Sequence, residues 1–177
     1  MNPIDQARFP AAHSTLKNGV TITIRPLRDD DGPALAAFYE QVPACDHLFY
    51  CPHPLTRDNA LLNAGKAASP TEVVLVLDDG DGHIGGYAWF RWRAGEPRSG
   101  FGICLLSEFK GSGAGQRLME RLMCIAREIG PPVMCLTVQK ANPRAIALYK
   151  KMGFMIVRDQ LRARDQEPEY YMERAVR

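Results

Sequence analysis

Three absences narrow the reading of this sequence. No apolar run approaches the roughly 20 residues that a membrane-crossing helix needs; stretches such as Val73 to Leu77 fall far short. Neither sign of charge is in excess: 22 Lys and Arg stand against 20 Asp and Glu, for a net charge of +2. The basic residues are scattered rather than gathered into a stripe, so the electrostatic footprint of a nucleic-acid binder is missing. Cysteine is sparse and odd in number, with five in 177 residues. Cys104, Cys124 and Cys135 sit within apolar runs, where a free thiol acts as a small core residue; this suits a reducing cytoplasm rather than a disulfide framework. The first residues include Asp5 and Arg8 and lack an apolar stretch of signal-peptide length, so a cytoplasmic location is expected.

What is present is the composition of a globular protein, 46% hydrophobic and 24% charged, at a length that suits one domain. Residues 1 to 17 lack periodicity and read as a loosely ordered arm, and residues 18 to 177 read as the domain. Val20 to Ile24 alternates as a half-buried strand does. Pro33 suits the first turn of a helix whose stripe is Leu35, Phe38, Tyr39 and Val42. Asp29, Asp30 and Asp31 read as caps at its positive end. A second helix is expected from near Thr56 to before Pro70. Strand-like runs at Val73 to Leu77 and Gly85 to Arg93 then flank an acidic turn at 78–82. That turn lacks the closing glutamate of a calcium loop and reads as a hairpin. After a strand at Phe101 to Leu106 the order changes. A helix from Gly113 to Ile129, a strand from Val133 to Val138, a helix after Asn142-Pro143 and two closing strands, Phe154 to Arg158 and Glu169 to Val176, imply a parallel pair inside a mostly antiparallel sheet.

The segment richest in chemistry is Lys110-Gly111-Ser112-Gly113-Ala114-Gly115-Gln116, which follows a strand and opens a helix. Successive N–H groups there can converge on one concavity, the helix N-terminus adds positive potential, and alternate glycines let the main chain approach a phosphate. Lys110 and Arg117 add charge. The segment ends in Gln116-Arg117, not the Lys-Ser or Lys-Thr of a Walker loop, and neither register of a Gly-x-Gly-x-x-Gly dinucleotide motif closes on glycine. A glycine-rich turn without a ligand is the plainer alternative.

Further on, Asn142-Pro143-Arg144-Ala145-Ile146-Ala147-Leu148-Tyr149 precedes Gly153-Phe154. The two segments, in this order and at this distance, resemble two successive motifs of the GCN5-related N-acetyltransferase (GNAT) superfamily, and the likeness covers about residues 20 to 176. It implies a mixed α/β fold: a mostly antiparallel sheet of about seven strands, splayed at its parallel pair, with about four flanking helices. It also implies acetyl-CoA as acyl donor and a primary amine, small molecule or protein N-terminus, as acceptor, with no metal, nucleic acid or membrane as partner. A homodimer is compatible with it. By the same likeness, Ile103, Cys104 and Leu105 would pair with the pantetheine arm, and Lys110, Gly111, Ser112, Gly113, Ala114, Gly115 and Gln116 would hold the pyrophosphate. Asn142 would touch the cofactor, cap its helix, or do both. Tyr149 would supply a proton to the departing thiolate, for a phenol with a reference pKa of about 10 stays protonated at neutral pH; otherwise it is an ordinary core tyrosine.

One part of the pattern is missing. Family members often carry a glutamate near the position of Gly100, and Arg98-Ser99-Gly100-Phe101-Gly102 contains no acid. Glu96, Glu108 and His83 are unranked candidates for the proton acceptor. A lysine amine, with reference pKa about 10.4, depends on a base more than an α-amine near about 7.7–8.0, so a low-pKa amine is the expected acceptor. The gap keeps a non-catalytic acyl-CoA-binding module in contention, alongside transfer of a longer acyl chain. Cys45, His47, Cys51 and His53 form two Cys-x-His pairs whose spacing is not that of a zinc finger. With Phe49 and Tyr50, the histidines are instead expected near the acceptor pocket.

Overall fold

The computed structural model describes residues 1, 3–49, 52–80 and 82–177. Eight strands form one sheet in the order β1-β2-β3-β4-β5-β6-β8-β7: β1 Ala12–Thr15, β2 Thr21–Pro26, β3 Glu72–Asp78, β4 Ile84–Arg91, β5 Arg98–Leu105, β6 Val133–Gln139, β7 Met155–Leu161 and β8 Pro168–Ala175. The helices are α1 Pro3–Arg8, α2 Gly32–Gln41, α3 Arg57–Ala64, α4 Ala114–Ile129 and α5 Pro143–Lys151. Every pairing is antiparallel except β5 with β6.

Helices cover both faces of the sheet. On β4 the Tyr87 ring meets Tyr39 of α2 edge-on, with centroids 6.0 Å apart. A Cβ placed on its neighbour Gly86 would sit 3.2 Å from Leu118 of α4. Adjacent strand residues point to opposite faces, so α2 and α4 lie on opposite sides. Strands β3 and β4 are therefore buried nearly throughout, and they read as continuous apolar runs rather than alternating ones.

One expectation needs correction and a second needs extending. The segment taken as part of a loose arm contains β1, which pairs with β2 from Ala12↔Ile24 to Thr15↔Thr21, while Phe9 and Leu16 are buried in the core. Ala-His-Ser-Thr carries no apolar alternation, because this strand is held by its backbone ladder. Of the aspartates before α2, Asp31 does cap, accepting the Arg28 N–H at 2.8 Å, but it also grips the buried Arg25 guanidinium at 2.6 and 2.9 Å, while Asp78 takes Arg25 Nε at 3.0 Å.

The parallel pair is short. Strands β5 and β6 are in register only at Arg98↔Val133, Ser99↔Met134 and Gly100↔Cys135. Directly beyond lie Phe101, Tyr149 and Phe154, whose ring centroids are mutually 6.0–6.2 Å apart. Past this aromatic wedge the strands part, and the opening between them is the main feature of the molecule.

Candidate active site

The opening has a volume of about 360 Å³ and runs between Ile103–Leu105 of β5 and Thr137–Gln139 of β6, with Asn142, Leu148 and Tyr149 along its α5 side. Leu106 donates its N–H to Gly85 on β4 at 3.0 Å. Strand alternation then turns the main-chain groups of Ile103 and Leu105 away from β4, into the opening, and those of Cys104 toward β4. The opening thus has an unpaired strand edge as one wall.

At one end stands the glycine-rich turn. A 3-10 turn at Ser107–Phe109 leads to Gly111 and Gly113, with φ of +83° and +98°, values that a side chain would strain. Gly113 is the N-cap of α4. Ser112 braces the turn by donating its hydroxyl to Phe109 O at 2.7 Å and accepting the Ala114 N–H at 3.3 Å. The turn is anchored because the Phe109 ring occupies the space that a Cβ on Gly85 would fill. At the first turn of α4 the Ala114 N–H is taken by Ser112, while those of Gly115 and Gln116 have no acceptor within the helix and remain available to an anion.

Both expected cations are engaged by carboxylates, Lys110 while lining the opening, and two others stand at the turn. Arg117 turns away to Glu120 at 3.2 Å. Lys110 is paired with Asp46 from the loop after α2. Arg144, near the start of α5, brings its guanidinium 3.7 Å from the position of a Cβ on Gly111, and Lys17 lies beside Gly113 and donates its N–H to Ser112 O at 3.1 Å. The sequence reading missed both. Lys17 belonged to the supposed arm, and Arg144 reaches the turn only because α5 packs beside it.

Asn142 caps α5, accepting the Ala145 N–H at 3.1 Å, and also lines the opening. Cys104 is buried, and burial pushes its thiol up to about 12 despite nearby Lys110, so it stays protonated and weakly nucleophilic at neutral pH. Burial likewise raises the Tyr149 phenol well above its ordinary value. A raised pKa keeps this hydroxyl in its proton-bearing form at every physiological pH.

A second cavity, of about 390 Å³, adjoins the first and shares Phe49, Ile103, Thr137, Gln139 and Tyr149 with it. Its remaining wall comes from Trp89, Phe101, the 162–164 turn and Glu169. Tyr149 therefore borders both spaces. Of the candidate bases, His83 is held by Asp79 at 2.9 Å in the β3–β4 turn, and Glu96 and Glu108 are exposed on turns. Glu169, which lay unremarked in a closing strand, is the carboxylate that lines the second cavity. His47 bonds Val42 O at 3.1 Å, and His53 lies against Tyr39 and bonds Pro54 O at 3.0 Å, so among the described residues expected at the pocket Phe49 is the one that lines it. Tyr50 and Cys51 lie outside the described residues. Among the described residues no group of His, Cys, Asp and Glu could hold a metal ion, and no helix is long and apolar enough to cross a membrane.

Comparison with known proteins agrees with this architecture. The chain is 27% identical over 137 residues to a mycothiol acetyltransferase of Propionibacterium freudenreichii, covering 73% of this chain but 42% of that protein. It is 26% identical over 144 residues to an L-methionine sulfoximine/L-methionine sulfone acetyltransferase of Pseudomonas aeruginosa, covering 77% and 82%. The YncA structure from Salmonella typhimurium, solved with its cofactor acetyl-CoA, superposes with a TM-score of 0.71 at 22% identity, over 88% of this chain and 94% of that one. The model of the acetyltransferase (GNAT) family matches residues 30–154, and the chain belongs to that family.

Proposed function

We propose that the protein transfers an acetyl group from acetyl-CoA to the primary α-amine of a small acceptor, directly and within a ternary complex. The observation that carries this reading is the position of Tyr149 at the junction of two cavities, one reaching the glycine-rich turn and the other walled by Glu169 and the 162–164 turn.

In this reading the N–H groups from Gly111 to Gln116 bind the diphosphate, with Arg144 and Lys17 supplying charge. The edge of β5 at Ile103 and Leu105 pairs with the amides of the pantetheine arm in the manner of an added strand. The same edge can polarise the thioester carbonyl as negative charge develops there. Tyr149 gives its proton to the leaving thiolate. Much of the acceleration comes from aligning amine and thioester.

The α-amine preference draws on three points. The residue at the usual strand position for a base is Gly100, so an amine that gives up its proton readily is favoured over a lysine ε-amine. Arg164, whose contact with Asp165 is long at 3.4 Å, borders the acceptor space, where a guanidinium suits a carboxylate. The Pseudomonas aeruginosa relative is named for acceptors that are amino-acid derivatives.

The test is thiol release from acetyl-CoA with a panel of α-amino acids, their esters, polyamines and a lysine ε-amine. Turnover should be highest with α-amines. Tight CoA binding without thiol release for any amine would instead favour the non-catalytic acyl-CoA-binding module, and preference for a longer acyl-CoA would reassign the donor.

A further inference from the structure

We propose that Glu169 is the proton acceptor for the attacking amine and fills the role left open at Gly100. This rests on the acetyl-transfer reading above. Glu169 stands near the start of β8, opposite Gln139 of β6 and Gln160 of β7 in the sheet register. It is only 5% exposed, and it lines the acceptor cavity together with Tyr149, Thr137 and Trp89. Gln160 Nε2 donates to Oε1 at 2.6 Å. Among the described residues no Lys, Arg or His nitrogen forms an ion pair with it.

The contrast with Glu173, four residues along the same face of β8, is informative. That carboxylate receives Arg98 Nε at 2.8 Å and the Tyr171 hydroxyl at 2.8 Å, and the arginine holds it below the usual carboxylate range. Glu173 is committed to structure. Glu169 is buried without a cation, which is costly for a structural carboxylate but apt for one that meets a substrate ammonium.

The charged and titratable neighbours are few. Tyr149 faces the same cavity from α5, and Arg162 and Arg164 enter it from the turn after β7, where Asp165 engages both. Lys140, at the end of β6, is paired with Asp159 at 2.7 Å and lies over Tyr170, on the opposite face of β8. Gln139, Thr137 and Gln160 bring no charge.

The sequence of proton movements balances. An acceptor ammonium gives one proton to Glu169, and its freed lone pair forms the new C–N bond at the thioester carbonyl. The C–S bond breaks, and the sulfur takes a proton from Tyr149. The nitrogen loses a second proton as the amide forms. One of the two nitrogen protons restores Tyr149 and the other passes to solvent, giving amide, free thiol and one proton. The acid thus stands at the junction of the two cavities and the base in the wall of the second.

The experiment is the pH profile of kcat/KM for the best acceptor, in wild type and Glu169→Gln, from pH 6 to 9. The variant preserves volume and a partner for Gln160. Its rate at pH 7 should fall about 100-fold, in the range for loss of a general base. The deficit should then shrink by up to about tenfold per pH unit as the free-amine fraction rises. Acetyl-CoA binding by calorimetry should be unchanged. Glu169→Asp, which keeps the acid, should restore the wild-type profile shape at reduced rate. A loss that is equal at every pH, an unchanged profile, or an Asp variant that behaves as the Gln variant does would each overturn the assignment. A wild-type enzyme that binds CoA but acetylates no amine would remove the acetyl-transfer reading itself, and the role of Glu169 with it.

Discussion

The ring of Tyr149 on α5 meets the ring of Phe101 on β5 edge-on, with centroids 6.0 Å apart and planes at 87°. Phe101 is the residue directly after the last one paired to β6. The side chain proposed to donate a proton is therefore also part of the wedge that separates the strands, so the cleft and its proposed acid arise from one packing arrangement.

Tyr149→Phe separates those two roles. The ring and its contacts with Phe101 and Phe154 remain, so folding and CoA affinity should hold. Turnover should drop roughly 10²–10⁴-fold, as for loss of a positioned acid. Steady-state thiol release and calorimetry on the same preparation check this. Because burial raises the phenol, the proton-bearing form persists as pH rises, and wild-type kcat should show no loss from Tyr149 ionisation up to pH 9.

Gly113→Ala tests the phosphate cradle. With φ at +98° and no atom nearer than Lys17 Cγ at 3.9 Å from the new Cβ, the cost is in the backbone and not in packing. A destabilisation of about 1–2 kcal/mol is expected. CoA should bind at least about tenfold more weakly, since 1.4 kcal/mol lost at the cradle is already tenfold. Thermal melting and calorimetry give the two numbers.

Charge around the turn can be redistributed. Arg144→Ala should weaken CoA and flatten the salt dependence of its binding, while leaving pantetheine, which lacks the diphosphate, unaffected. Asp46→Asn should act in the opposite sense, releasing Lys110 toward the diphosphate and tightening CoA a few-fold at low salt. Titrations at two ionic strengths distinguish the pair.

Asp31→Ala addresses stability away from the cleft. It strands the buried Arg25 guanidinium, whose side chain is 7% exposed, with Asp78 alone. Loss of one partner of a buried pair costs about 3–5 kcal/mol. For a domain of this size that is a fall in Tm of roughly 6–20 °C. Calorimetric melting measures it, and catalysis at 25 °C in the folded fraction should be little changed.

Much of the architecture was legible from local pattern. The α4 stripe of Leu118, Leu122, Ile125 and Ala126, the Asn142-Pro143 start of α5 and the runs that became β3 and β4 each carry their own periodicity or cap. Strand β1 was not legible, because four small or polar residues in an edge strand are specified by the ladder of β2 and not by their own burial. Asp31 was legible only in part for a similar reason: it accepts the Arg28 N–H as a cap does, and its ion pair was hidden. A carboxylate before a helix is normally a cap, and only the approach of Arg25 from the neighbouring strand gives it a stronger partner.

The sequence by itself determined the order of elements from β2 onward, the glycine-rich turn and the family, because these depend on spacings of a few residues along one chain. Which side chains share a cavity was decided by tertiary structure alone. Arg144 reaches Gly111, Lys17 reaches Gly113 and Glu169 shares a wall with Tyr149 because strands and helices distant in sequence pack side by side. Such neighbours leave no local signature, since the distances that bring them together are measured across the sheet and not along the chain.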